Sequence, residues 1–94
     1  MSVITENKCV TTDQAKALIV DDLEDNQFVL MCILEEIGIT VDVASSGEQA
    51  LALLNDKEYA VILMDVQMPG MSGFDCVSII RKTPSIQHIP IIFV

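Results

Sequence analysis

The sequence predicts an α/β domain, with a parallel sheet of four strands and helices on both faces. Three observations lead there. Short, continuously apolar runs recur along the chain: ALIV at 17–20, YAVILM at 59–64 and IPIIFV at 89–94. Runs of this length, apolar without alternation, suit strands buried on both faces. The first two end directly in aspartates, Asp21-Asp22 and Asp65. The segments between the runs carry helix-forming composition and end signals, so the two element types alternate. Alternation requires crossover connections, which are right-handed. With 94 residues the chain makes one small domain with a thin core.

The elements follow in order. Residues 1–14 (MSVITENKCVTTDQ) are polar and patternless and read as an N-terminal tail. Ala17 to Val20 is the first buried strand. Asn26 to Ile37 is rich in helix formers and stops at Gly38, a C-cap signal. Thr40 to Ala44 (TVDVA) alternates, and Asp42 within it suggests a strand near a sheet edge. Ser45-Ser46-Gly47-Glu48-Gln49 holds two overlapping capping boxes, Ser45 with Glu48 and Ser46 with Gln49. The helix that follows places Ala50, Leu51 and Leu54 at helical spacing. Tyr59 to Met64 is the third strand. A loop with Pro69, Gly70 and Gly73 leads to a helix from about Phe74 to Lys82, with Phe74, Val77 and Ile79 or Ile80 on one stripe. Pro84 ends it, and Ile89 to Val94 is the fourth strand.

Composition excludes several classes. Apolar residues make up 51% of the chain and charged residues 20%, which is the reverse of a disordered chain. Fourteen acidic against five basic side chains give a formal charge of −9. Such a field repels phosphate backbones and anionic lipid, so neither nucleic acid nor a membrane is an expected partner. The longest apolar runs, Phe28 to Leu34 and Ile89 to Val94, are too short to span a bilayer. No cationic stretch followed by an apolar run opens the chain. Cys9, Cys32 and Cys76 are odd in number and widely spaced. They fit neither a zinc site nor a disulfide framework, and read as reduced thiols in a cytoplasmic protein, two of them core fillers.

Two features suggest a sheet with missing cover. FVLMCIL at 28–34 is apolar nearly all round a helix, so one sheet face does not cover it. PIIFV at 90–94 is too hydrophobic for a bare edge strand. A homodimer through the fourth strand and the first helix is the expectation.

The aspartates carry the chemistry. Parallel strands present their carboxyl ends on the same side. If the first and third strands are neighbours, Asp21, Asp22 and Asp65 converge in the crevice where open α/β sheets bind ligands. Three converging carboxylates need a cation, and hard oxygen ligands favour Mg²⁺. A carboxylate beside such a metal can attack phosphorus while the metal neutralises the phosphoryl charge. Taken singly, each aspartate is more often a helix cap.

LIVDDLEDN, followed by LMDVQMPGMSGFD, resembles the receiver domain of two-component response regulators. The matching motifs are an acidic pair after the first strand and Asp-x-x-Met-Pro-x-Met-x-Gly after the third. The resemblance covers roughly residues 16–94. It implies a flavodoxin-like doubly wound sheet of order 2-1-3-4, with the fifth strand and last two helices of the family missing, so that residues 15–94 are an incomplete receiver domain. It implies that Asp65 is the phosphoacceptor, taking a phosphoryl group from a sensor histidine kinase or a phosphotransfer protein. Asp22 and Asp65 match the direct Mg²⁺ ligands, Asp21 the ligand acting through water, and Gln67 the position whose backbone carbonyl completes the metal's coordination. Pro69 and Gly73 match the loop-shaping residues, by fixing φ and by permitting unusual angles. Asn26 matches a polar position at the start of the first helix, where capping is the simplest role.

The family's switch Ser or Thr and its phosphoryl-pairing Lys have no match before Val94. Their loss removes two contacts of about 1–3 kcal/mol each and weakens phosphorylation without excluding it. Lys57 and Lys82 read as solvated, His88 as an exposed loop residue, and Met31 and Met64 as core. Met1 and the short tail suggest a receiver that begins its protein. Two other functions compete. One is a phosphorylation-independent interaction module. The other is a phosphohydrolase with an aspartyl-phosphate intermediate, disfavoured because Gln67 stands where its second Asp belongs. In neither favoured reading is the chain an enzyme beyond weak self-phosphorylation and autodephosphorylation.

Overall fold

β1 (Lys16–Val20) is the inner strand that the rest of the sheet is built on, and its four apolar residues are fully buried. In the computed structural model, which describes residues 16–94, the expected tail of residues 1–14, with Cys9, lies outside the described residues. β2 (Thr40–Ala44) flanks β1 on one side, β3 (Val61–Met64) on the other, and β4 (Ile91–Phe93) pairs with β3. Every pairing is parallel, and the order is β2-β1-β3-β4. The chain moves one way from β1 to β2 and the other way from β2 to β3 and β4. Right-handed crossovers then put α1 (Glu24–Glu36) on one face and α2 (Gly47–Asp56) and α3 (Gly73–Arg81) on the other. The core lies under α2 and α3, where Leu18, Val20, Ile62 and Met64 meet Ala50, Leu54, Cys76 and Ile80. Each large side chain buried there contributes about 1.5–3 kcal/mol relative to exposure.

Several boundaries shift for identifiable reasons. α1 begins at Glu24, not Asn26, and its N-cap is Leu23, which supplies no side-chain bond. The Asp21 carboxylate accepts from the Leu23 N–H (2.9 Å) and sets the helix start from upstream. Asn26 is therefore inside the first turn and is not a cap. The Gly38 signal holds: φ is 87°, and the N–H groups of Gly38 and Ile39 donate to the carbonyls of Glu35 and Leu34 (3.0 Å each), closing a Schellman motif. α2 is capped by Ser46, whose Oγ accepts from Gln49 N–H (3.1 Å), while Gln49 Oε1 accepts from Ser45 N–H (2.6 Å). The pair Ser45 and Glu48 does not form the cap. α3 opens one residue early on a capping box between Ser72 and Asp75, a spacing present in the sequence.

Burial corrects other expectations. Cys76 is buried, which pushes its thiol up to about 11, with the Glu48 charge adding to the effect. Cys32 is exposed, so it is no core filler. Met64 is buried as expected, Met31 only half-buried, and the loop residue Met68 joins the core. The α3 stripe is Cys76, Val77 and Ile80, whereas Phe74 and Ile79 are exposed. Phe74 leans on Phe93, with ring centroids 5.3 Å apart. No residue of α1 is buried, and Phe28 is 62% exposed. Among the described residues β4 is an edge strand, with Ile92 52% exposed, so its sequence of a fully buried strand has no second neighbour there. Among the described residues no helix is long and apolar enough to cross a membrane.

Tyr59 precedes β3 and braces the opposite edge. Its hydroxyl donates to Asp42 Oδ2 (2.7 Å), and Lys57 and Lys16 lie 3.4 and 3.6 Å from the same oxygen. Lys57 is thus paired, not merely solvated, while Lys82 is exposed. The Tyr59 bond foremost, then the lysines, hold the Asp42 carboxyl below its ordinary 3.8 against the opposing effect of desolvation. A carboxylate whose folded pKa is lowered stabilises the fold above the unfolded pKa. That contribution is lost as pH falls through the folded value. We expect Tyr59→Phe to cost about 1–2 kcal/mol in urea denaturation at neutral pH. The gap from wild type should narrow as the pH drops below 3.8.

Candidate functional site

The register of the inner strands builds the site. β1 and β3 pair with Val20 opposite Met64, so the next residues, Asp21 and Asp65, emerge level at the carboxyl ends. The ladder continues past the strands: Asp65 N–H donates to the Val20 carbonyl (2.9 Å) and Asp21 N–H to the Ala44 carbonyl (3.0 Å). Asp21 is 2% exposed, while Asp22 and Asp65 are half-buried. One carboxylate oxygen from each of the three lies within 4.8 Å of the others. The three aspartates anticipated from sequence do converge.

Backbone donors orient two of them. Leu23 N–H donates to Asp21 Oδ1 (2.9 Å), and Gln67 N–H donates to Asp65 Oδ1 (3.2 Å). Each bond spans two residues, an Asx-turn geometry that fixes one oxygen on the chain itself. Among the described residues, the second oxygen of each carboxylate has no protein donor, and the ion pairs are those of Asp42, not of this cluster. Like charges this close repel, and one of them is buried, so a cation is the natural compensation. The donor set is hard oxygen, compact and open on one side. That suits Mg²⁺, which keeps several waters and takes only one or two carboxylates directly. The residues present therefore fit the metal anticipated from sequence.

The loop after β3 is shaped by two glycines in different ways. Gly70 takes the positive φ, 76°. Gly73 does not. A Cβ there would stand 2.2 Å from the Asp65 carbonyl oxygen, and the Gly73 N–H donates to the Val66 carbonyl (2.9 Å). Gly73 thus serves by close approach rather than by unusual angles, and α3 starts against the backbone of the site.

A cleft of about 300 Å³ opens on the cluster, lined by Asp21, Asn26, Val29, Leu30, Asp65 and Val94. Asn26, expected as a cap, faces this cleft instead. Gln67 is exposed beside Asp65. His88 is exposed in the loop before β4, and Lys57 is engaged by Asp42. One contributor escaped the sequence reading: Gln27 Nε2 donates to the Asp21 carbonyl (2.5 Å). A polar residue inside a helix carries no sequence signal for such a bond. Chemically, a carboxylate held beside a cation and facing an open cleft is a nucleophile able to take a phosphoryl group.

A family model described as "response regulator receiver domain" matches residues 17–94. The aerobic respiration control sensor protein ArcB of Escherichia coli is 43% identical over 58 residues, 62% of this chain and 8% of that protein. The structure of the Vibrio cholerae chemotaxis protein CheY4 superposes with a TM-score of 0.81 at 34% identity, covering 85% of this chain and 67% of that one. The response regulator TrrA of Thermotoga maritima, solved in complex with Mg²⁺-BeF, gives 0.72 at 34% identity over 76% of this chain and 62% of that one. The chain thus spans a small part of the sensor protein and roughly two thirds of each solved neighbour.

The packed charges predict a stability trade. Asp22→Asn relieves repulsion of about 1 kcal/mol per pair even at the dielectric of water. Thermal denaturation in EDTA should show the variant more stable than wild type. Added Mg²⁺ should raise the wild-type melting temperature more and reverse the order.

Proposed function

We infer function from the premise that those matches establish: the chain belongs to the response regulator receiver domain family of two-component signalling. On that premise we propose that Asp65 is the phosphoacceptor, supplied by a sensor histidine kinase or a phosphotransfer protein in the cytoplasm. The observation that supports it most is the convergence of Asp21, Asp22 and Asp65 within 4.8 Å at the paired ends of β1 and β3.

Asp22 and Asp65 are the direct Mg²⁺ ligands in this reading, with Asp21 acting through water and Gln67 through its backbone carbonyl. Held by these residues, Mg²⁺ would supply charge neutralisation to the phosphoryl oxygens beside the carboxylates. Gln67 N–H holds Asp65 Oδ1, leaving Oδ2 as the nucleophile. That oxygen attacks phosphorus, and the P–N bond of the donor phosphohistidine breaks. The electron pair stays on the imidazole nitrogen, which takes up a proton from water. The product is an acyl phosphate on Asp65. Asp21 is buried beneath the reacting carboxylate, and Val29, Leu30 and Val94 give the open cleft one apolar wall. One transfer per donor makes the chain a phosphoacceptor, with at most weak self-phosphorylation and autodephosphorylation of its own.

The test is intact mass spectrometry after incubation with Mg²⁺ and a small acyl-phosphate donor. A gain of one phosphoryl group is expected, abolished by EDTA and by Asp65→Asn. No gain, or a gain that survives Asp65→Asn, refutes the assignment.

A second role is favoured by one observation. Phe28, Val29, Ile33 and Ile37 on α1 and Ile92, Phe93 and Val94 at β4 are large apolar side chains in solvent. We propose that this surface pairs two copies, with the β4 edge adding strand to strand. Light scattering should give a mass that rises above the monomer with concentration, and Ile92→Lys should suppress the rise. A strictly monomeric wild type removes this role.

A further inference from the structure

Asp21 is where β1 stops and the site begins, and the surrounding structure ties it at three atoms. Its N–H donates to the Ala44 carbonyl (3.0 Å), its Oδ1 accepts from Leu23 N–H (2.9 Å), and its carbonyl oxygen accepts from Gln27 Nε2 (2.5 Å). Among the described residues, the third tie is the only one made by another side chain. Gln27 stands one turn into α1, and the same Nε2 reaches Ser45 Oγ (3.2 Å) in the turn between β2 and α2. Ser45 is itself held, its N–H donating to Gln49 Oε1 in the first turn of α2 (2.6 Å). One amide therefore fastens α1 to the loops that follow β1 and β2.

Among the described residues, no other side-chain hydrogen bond joins α1 to these loops. α1 has no side-chain N-cap and no buried residue. The Asp21 carbonyl and the Asp22 N–H belong to one planar peptide unit. Holding that carbonyl oxygen restrains the peptide plane from which the Asp22 backbone, and with it the Asp22 carboxylate, departs. Three carboxylates within 4.8 Å push one another apart, so the turn between Asp21 and Asp22 needs an external restraint to keep the spacing.

We propose that Gln27 is a positioning residue for the cation site, holding the Asp21–Asp22 turn so that both carboxylates face Asp65. This rests on the reading that the acidic cluster holds Mg²⁺. Outer partners that orient the groups around a metal typically change affinity by about 10–100-fold when lost. Gln27→Met keeps the shape and removes the donor, and Gln27→Asn keeps the amide but shortens its reach.

The experiment is Mg²⁺ binding to the 94-residue chain by isothermal titration calorimetry, with no phosphodonor present. Urea denaturation in EDTA fixes conditions in which every variant is folded. Gln27→Met should raise the Mg²⁺ Kd about tenfold, and phosphoryl uptake should return to the wild-type rate at saturating Mg²⁺. That split separates positioning from a general loss of structure, which saturation does not restore. Should Gln27→Met fail to fold, Gln27→Asn carries the same expectation. A Kd within about twofold of wild type in the folded variant overturns the proposal, because a lost second-layer partner costs more than that. A wild type that binds no Mg²⁺ overturns both this and the phosphoacceptor reading. A wild type that binds Mg²⁺ in a Gln27-dependent way but takes up no phosphoryl group supports the positioning role and refutes only the phosphoacceptor.

Discussion

The parallel pairing of β1 with β3 is the constraint from which the site follows. Opposing Val20 to Met64 makes Asp21 and Asp65 neighbours, although they lie far apart in the chain. A slip of one residue would exchange the side chains that β3 presents to its two faces, replacing Ile62 and Met64 in the packed core, and would misalign the carboxylates. Ile62 and Met64 are fully buried in the core, so hydrophobic burial fixes the register and thereby the site. The core thus stabilises an arrangement that electrostatics alone would open.

That opposition shapes the surroundings of the cluster. Backbone N–H groups from Leu23 and Gln67 each hold one carboxylate oxygen, and the Gln27 amide holds the carbonyl between the paired aspartates. Gly73 lets α3 begin against the Asp65 backbone, where any larger residue would collide. The cost of gathering negative charge is met by rigid backbone geometry, which leaves the free oxygens turned to the cleft. Burial of the strands and repulsion among the carboxylates pull against each other here.

The two faces of the sheet are unequal. α2 and α3 close over a continuous core, whereas α1 lies on the other face with none of its residues buried. The run FVLMCIL is apolar on sides that the sheet does not reach, and the same holds for β4 beyond its pairing with β3. The exposed surface beside the acidic cleft includes Val29 and Val94, which also line it. Whatever covers that surface therefore touches the site.

The strand order came from the family resemblance that the acidic and loop motifs carry, and local chemistry was legible in the sequence itself: the alternation of elements, the C-cap at Gly38, the cap at Ser46 and the three aspartates. Each depends on neighbours within a few residues or on a motif of fixed spacing. Tertiary structure alone decided the rest. Asn26 left the cap position because Asp21, five residues upstream, satisfied the helix start instead. Phe74 turned outward because Phe93 on β4 receives it. Tyr59 left its strand to donate to Asp42 across the sheet edge. Gln27 became a brace because folding brought the Asp21 carbonyl and Ser45 within reach of one amide. Hydrophobic periodicity and turn chemistry are properties of the local chain, whereas a hydrogen bond between distant residues exists only once the sheet has set their separation.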